Sequence, residues 1–264
     1  MQFRPCIDIH NGAVKQIVGS SLKDAGDMAS ENFVSGQSGA YFAKMYHDLG
    51  LKGGHVILLN HTDSPFYGKT LEQAKKALGA YPGELQAGGG ITDENAAMFL
   101  EAGASHVIVT SFAFNGGKVH FDRLDALTAV TGRERLVLDL SCKRSGESYY
   151  VCTDRWQKMT DLALDEELLK RLSQCCDEFL IHAVDVEGKS KGIEQDVVRI
   201  LANFCEKNPA FSQKVTYAGG VGSLEDLRLL KKLGMGHVNV TIGSALSIFG
   251  GQMELSDVLE CINE

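Results

Sequence analysis

Several familiar chemistries have no foothold in this sequence. There is no Walker-type lysine loop, and no Rossmann Gly-x-Gly-x-x-Gly follows the first apolar run, so nucleotide and nicotinamide chemistry lack their usual phosphate cradles. The cysteines number seven, with no Cys-x-x-Cys pair and no Cys/His cluster at zinc spacing. They read as reduced thiols, the adjacent Cys175 and Cys176 included, and no metal site is expected. No basic stripe interrupts a formal charge of −8, which argues against a nucleic-acid partner. No apolar run reaches membrane-spanning length, and the opening MQFRPCIDIH has no signal-peptide core, so a cytoplasmic protein with no membrane partner is expected. Proline is scarce (4) where glycine is plentiful (29), which suits short, tight turns better than linkers.

What is present is alternation. Short apolar runs at Pro5–Ile9, His55–Asn60, Glu84–Ala87, His106–Thr110, Leu136–Leu140, Phe179–Asp185, Lys214–Ala218 and His237–Thr241 are separated by amphipathic stretches of helical period. Eight strands with eight helices predict an α/β fold, the (β/α)8 TIM barrel, with extra β pieces at Val14–Val18 and Tyr149–Thr153. The chain also repeats itself. Gly103–Thr110 (GASHVIVT) matches Gly234–Thr241 (GMGHVNVT), Pro5–Ile9 matches Leu136–Leu140, and Ala87–Ile91 (AGGGI) matches Tyr217–Val221 (YAGGV). Each match is displaced by about half the chain, so a single domain spanning residues 1–264 is expected, made of half-barrels near 1–132 and 133–264.

The repeats carry the chemistry. Gly89-Gly90 and Gly219-Gly220 each end a strand just before a helix, where backbone N–H groups converge on an anion. Thr110-Ser111 and Gly243-Ser244 close the neighbouring strands and add hydroxyls and amides. Two phosphate sites on opposite rims imply a small-molecule substrate with a phosphate at each end. Asp8 and Asp139 terminate strands one and five, which face each other across an eight-stranded mouth. Two carboxylates approaching a substrate from opposite sides suit general acid–base catalysis, provided their environments push their pKa values apart. Such chemistry calls for no cofactor.

The stretches Pro5–Gly12, Ala87–Ile91, Ala218–Val221 and Gly243–Leu246, with Asp139, resemble the phosphoribosylformimino-aminoimidazole-carboxamide ribotide isomerases of histidine biosynthesis. The resemblance covers nearly the whole chain. Val14–Val18, Ile181–Gly188 and Ile248–Gly251 look like the eukaryotic branch. The resemblance implies an Amadori rearrangement of an aminoaldose to an aminoketose. Carried over, Asp139 is the general acid that opens the ribose ring, and Asp8 is the base that takes the sugar C2 proton. Trp156, the one tryptophan, then packs against the aminoimidazole, with Arg155 and Asp185 as further substrate-binding residues. Where bacterial members carry two aspartates after the sixth strand, this chain has Asp185 and then Glu187-Gly188.

Two other readings share these residues. The sister barrel, the cyclase of imidazole glycerol phosphate synthase, has the same repeat but needs ammonia from a glutaminase partner. A barrel that only binds phosphorylated metabolites would not need two carboxylates in its mouth. His55 reads as a structural histidine, and His182 as a neighbour of the mouth. A monomer is expected, since the two halves close one barrel.

Overall fold

A computed structural model describes residues 1–17, 31–153, 156 and 158–264. Eight parallel strands run in chain order: β1 (Cys6–His10), β2 (Gly54–Leu58), β3 (Leu85–Gly88), β4 (Val107–Val109), β5 (Leu136–Asp139), β6 (Glu178–His182), β7 (Val215–Ala218) and β8 (Val238–Thr241). Each is followed by a helix: α1 (Gly39–Asp48), α2 (Tyr67–Ala80), α3 (Ala96–Glu101), α4 (Phe121–Thr131), α5 (Glu166–Leu172), α6 (Gln195–Lys207), α7 (Leu224–Leu233) and α8 (Leu255–Asn263). Every strand pairs with its sequence neighbour. The ring closes where the chain entering β1 meets β8: Phe3 bridges Val240 in parallel, Arg4 N donates to Val240 O at 2.8 Å, and Val240 N donates to Gln2 O at 3.0 Å.

Strand alternation sorts the residues into two environments. One set (Ile7, Ile9, Val56, Leu58, Leu85, Ala87, Leu138, Ile181, Tyr217, Val240) joins the large core shared with the helices. The other set fills the barrel in layers. At its floor Arg4 pairs with Glu178, which also accepts from Gln86 Nε2 at 2.6 Å. Above lies a separate apolar plug of Ile108, Val137, Leu180 and Ala218, with Ile57 against it. Gly88 admits that plug, because a Cβ there would stand 2.5 Å from Ile57 Cδ1. The layer above the plug is the polar mouth.

The helices follow from their apolar spacing. In α6, Val197, Val198, Leu201, Ala202, Phe204 and Cys205 recur at helical intervals and are all buried. In α7, Ser223 caps the first turn by accepting from Asp226 N at 3.1 Å. Two antiparallel extensions rise above the mouth. Ala13–Ile17 pairs with β1 and with Glu31–Val34, and Cys142–Ser145, Ser148–Thr153 and Lys158–Ala163 form a separate three-stranded sheet. The expected piece at Tyr149–Thr153 lies in that sheet; the last residue of the expected Val14–Val18 piece is outside the described residues.

Candidate active site

Asp8 sits within β1, two residues before its end, and its side chain rises into the mouth. Gln16, from the hairpin that folds back over β1, donates Nε2 to Asp8 Oδ2 at 3.4 Å. Burial first, and the nearby Glu187 carboxylate second, lift the Asp8 carboxyl from the ordinary value near 3.8 to about 7, against the opposing pull of His182 and Gln16. Asp8 is therefore divided between its two protonation states near neutral pH.

Asp139 ends β5 in a different setting. Its Oδ1 accepts from His182 Nδ1 at 3.0 Å and from Ser141 Oγ at 3.3 Å, while Oδ2 accepts from Thr110 Oγ1 at 3.4 Å. His182 closes β6, the neighbouring strand, where Leu180 is the register partner of Asp139. Burial alone would depress the imidazole, but Asp139, Glu187 and Asp8 outweigh it and raise it to about 9. One cation is thus set among three carboxylates. His55, on β2 below, is the opposite case: burial and the His182 charge push it down to about 3, so it stays neutral, in keeping with a structural role.

A cleft at the mouth is lined by Asp8, Gln16, His182, Glu187, Ser190 and the turns Gly219–Val221 and Gly243–Ala245. Four of the expected phosphate residues therefore share one wall with Asp8. Among the described residues, no hydrogen bond within the protein uses the amides of Gly219, Gly220, Gly243 or Ser244. Gly220 (φ +77°) packs so closely that a Cβ would stand 2.0 Å from Gly192 O, and at Gly243 a Cβ would stand 2.2 Å from Gln16 Oε1. The other four phosphate residues lie apart, at the ends of β3 and β4, across the barrel from β7 and β8. Gly89 (φ +101°) presses on Leu58 O, and the amides of Gly89, Gly90 and Ser111 are likewise unused by the protein. The Thr110 hydroxyl, expected on this rim, turns instead toward Asp139.

Trp156 stands over the mouth with φ +68°, a conformation a bulky residue rarely adopts. Its carbonyl accepts from Lys143 Nζ at 2.7 Å, and its indole tilts 43° over His182 at 6.2 Å between centroids. Asp185 lies away from this group, its Oδ2 accepting from Arg144 N at 2.8 Å and so fixing the hairpin after β5. Arg155 lies outside the described residues. Sequence reasoning passed over Gln16, Ser141 and Ser190, and it took His182 for a bystander. Ser190 (φ +47°) sits in a Gly188-x-Ser190-x-Gly192 string that could have drawn attention. It is not a strand-to-helix nucleophile elbow, since β6 ends at His182 and α6 begins at Gln195. Glu187 is the acidic residue offered in place of the missing second aspartate; its Oε2 is buried without a partner among the described residues.

Among the described residues, the one group with metal-ligand spacing is His106, Asp177 and Glu178, at the barrel floor. Its carboxylates are already matched by Lys214, 2.6 Å from Asp177, and by Arg4. No helix of the described residues is long and apolar enough to cross a membrane.

Residues 2–254 match the family described as histidine biosynthesis protein. A Medicago truncatula protein named 1-(5-phosphoribosyl)-5-((5-phosphoribosylamino)methylideneamino)imidazole-4-carboxamide isomerase, chloroplastic, is 48% identical, over 100% of this chain and 82% of the relative. An isomerase of the same name from Neurospora crassa is 48% identical over 95% of this chain and 94% of its own. The one from Saccharomyces cerevisiae is 41% identical over 96% and 94%.

Proposed function

The chain belongs to the family of histidine biosynthesis proteins, and on that premise we propose that Asp8 and Asp139 convert an aminoaldose to an aminoketose by general acid–base catalysis. It is an isomerase of histidine biosynthesis, like the relatives whose names carry that activity. Those names describe a substrate with two phosphoribosyl groups. The rims at Gly89-Gly90 with Ser111 and at Gly219-Gly220 with Gly243-Ser244 are the places for its two phosphates, held by free amides.

The observation that carries the acid–base reading is the asymmetry of the two carboxylates. On the Asp139 side a proton is shared with His182, so that side begins as the acid. It protonates the ribose ring oxygen as the C1–O bond breaks, and the amine lone pair forms the C=N bond. Asp8, with a pKa near 7, is basic enough to take the C2 proton and still ionised in a large fraction of molecules. Electrons from the C2–H bond form the C1=C2 bond of the enol-amine as the C=N pair returns to nitrogen; C1 then gains a proton while the C2 hydroxyl loses one, which gives the ketose. Trp156 stacks on the aminoimidazole, and Asp185, which accepts from the Arg144 amide, steadies the hairpin after β5. We read the protein as a cytoplasmic monomer whose one domain comprises half-barrels near 1–132 and 133–264.

Two measurements test this reading. Supplied with the aminoketose and ammonia, the protein is expected to release no imidazole product; release would make it the cyclase. Gly220→Ala is expected to raise KM about tenfold, roughly 1.4 kcal/mol of binding, because the new methyl displaces the Gly192 carbonyl beneath the phosphate loop. An unchanged KM would remove the β7–β8 rim from the phosphate site.

A further inference from the structure

Asp139 is poorly placed to be the proton donor by itself. Among the described residues, its three hydrogen-bond partners (His182, Ser141 and Thr110) are groups that donate to it. His182 lines the wall of the mouth cleft beside Asp8 and the phosphate turns. Resting on the isomerase reading above, we propose that His182 presents the proton to the sugar ring oxygen, and that Asp139 acts through it as a positioning carboxylate.

The geometry follows from the strand register. β5 and β6 are neighbours, Asp139 lies level with Leu180, and His182 is two residues further toward the mouth on the same face. With Nδ1 held by Asp139 at 3.0 Å, the opposite ring nitrogen, Nε2, points away from that carboxylate. The indole of Trp156 lies beside the ring, from the loop after β5, with 6.2 Å between centroids. An imidazole so oriented has the arrangement by which a buried aspartate fixes the tautomer of a catalytic histidine in other enzymes.

The surrounding charges keep the proton there. Asp139 faces His182 from β5, Asp8 from β1 and Glu187 from the loop after β6, while neutral His55 lies below on β2. Burial opposes the imidazolium, but the three carboxylates win, and His182 remains a cation until about pH 9. In the reaction, Nε2–H passes its proton to the ring oxygen as the C1–O bond cleaves and its electron pair moves to that oxygen. A neutral imidazole remains, and it regains a proton from water before the next turnover.

The test compares His182→Gln with wild type and Asp8→Asn. The glutamine amide can still donate to Asp139, but it carries no mobile proton. The expected result is a kcat lower by about 10²- to 10⁴-fold, with KM within a few-fold of wild type. The wild-type fall in kcat above about pH 9 should be missing from the variant. If wild type turns over, Asp8→Asn does not, and His182→Gln stays within about fivefold of wild type with its alkaline limb intact, the His182 assignment is overturned and the isomerase reading stands. Absence of wild-type turnover would overturn both. Independently of any variant's folding, imidazole NMR on the wild-type protein should show a histidine titrating near 9. A spectrum in which no histidine titrates near 9 would overturn the proposal.

Discussion

Asp8→Asn is expected to lower kcat by about 10²- to 10⁴-fold and, at the same time, to make the protein more stable above neutral pH. In the proposed mechanism the loss of rate follows from removing the group that takes the C2 proton. The gain in stability follows from linkage. The folded-state pKa of Asp8, about 7, lies above the ordinary value near 3.8, so the folded protein binds this proton more tightly than the unfolded chain does. Stability from this group is full below about pH 4 and is lost as pH rises toward 7. A shift of that size is worth roughly 2–4 kcal/mol at pH 8, once discounted for relaxation around the buried charge. Asparagine never ionises and avoids the cost. Urea denaturation at pH 8 should therefore place Asp8→Asn above wild type by a few kcal/mol, with the gap closing toward pH 4. Equal stability at both pH values would mean that Asp8 ionises freely and that its environment is not the one described.

At the other end of the barrel the expected effect has the opposite character. Arg4 and Glu178 form an ion pair whose side chains keep only 7% and 10% of their surface. Gln86 Nε2 also donates to Glu178 at 2.6 Å, and Arg4 Nη2 donates to the Gln213 carbonyl at 2.8 Å. Glu178→Gln leaves the guanidinium buried without its counter-charge, which typically costs about 3–5 kcal/mol. Because the pair lies below the apolar plug and away from the mouth, kcat should stay near wild type at temperatures where the variant is folded. The double variant Arg4→Met with Glu178→Gln should recover most of the lost stability, since it removes the orphaned charge as well. A double variant as weak as the single one would mean that packing of the arginine stem, and not its charge, holds the barrel floor.

The eight strands and eight helices were legible because a buried parallel strand is a short apolar run and a covering helix has a 3.6-residue stripe. The internal repeat then identified both glycine turns and both aspartates. Legibility stopped where tertiary contacts choose between equally good local options. Phe179–Asp185 reads as one apolar strand, yet β6 ends at His182, and the chain turns through Val186 N to Ala183 O (3.2 Å) and Glu187 N to Val184 O (3.3 Å). That turn is what carries Glu187 back toward Asp8, and apolar periodicity cannot signal it. The helix after β3 starts only at Ala96, because Asn95 ties the preceding loop by accepting from Thr92 N and donating to Gly90 O, both at 2.9 Å. The partner strand at Glu31–Val34 is mostly exposed, and Lys15 on the neighbouring strand meets Glu31, a contact that no local pattern displays. His182 was undervalued for a related reason: it meets Asp139 by a hydrogen bond between neighbouring strands, which no single segment displays.

The central claim is that this barrel rearranges an aminoaldose through protons alone, with Asp8 as base. The most direct measurement incubates the purified protein with the aminoaldose, in chelator and without ammonia, nucleotide or nicotinamide, and follows the aminoketose by chromatography. The account predicts conversion by the wild type and loss of conversion in Asp8→Asn and Asp139→Asn at retained fold and substrate binding. Tight binding without conversion by the wild type, or conversion undiminished in Asp8→Asn, would contradict it.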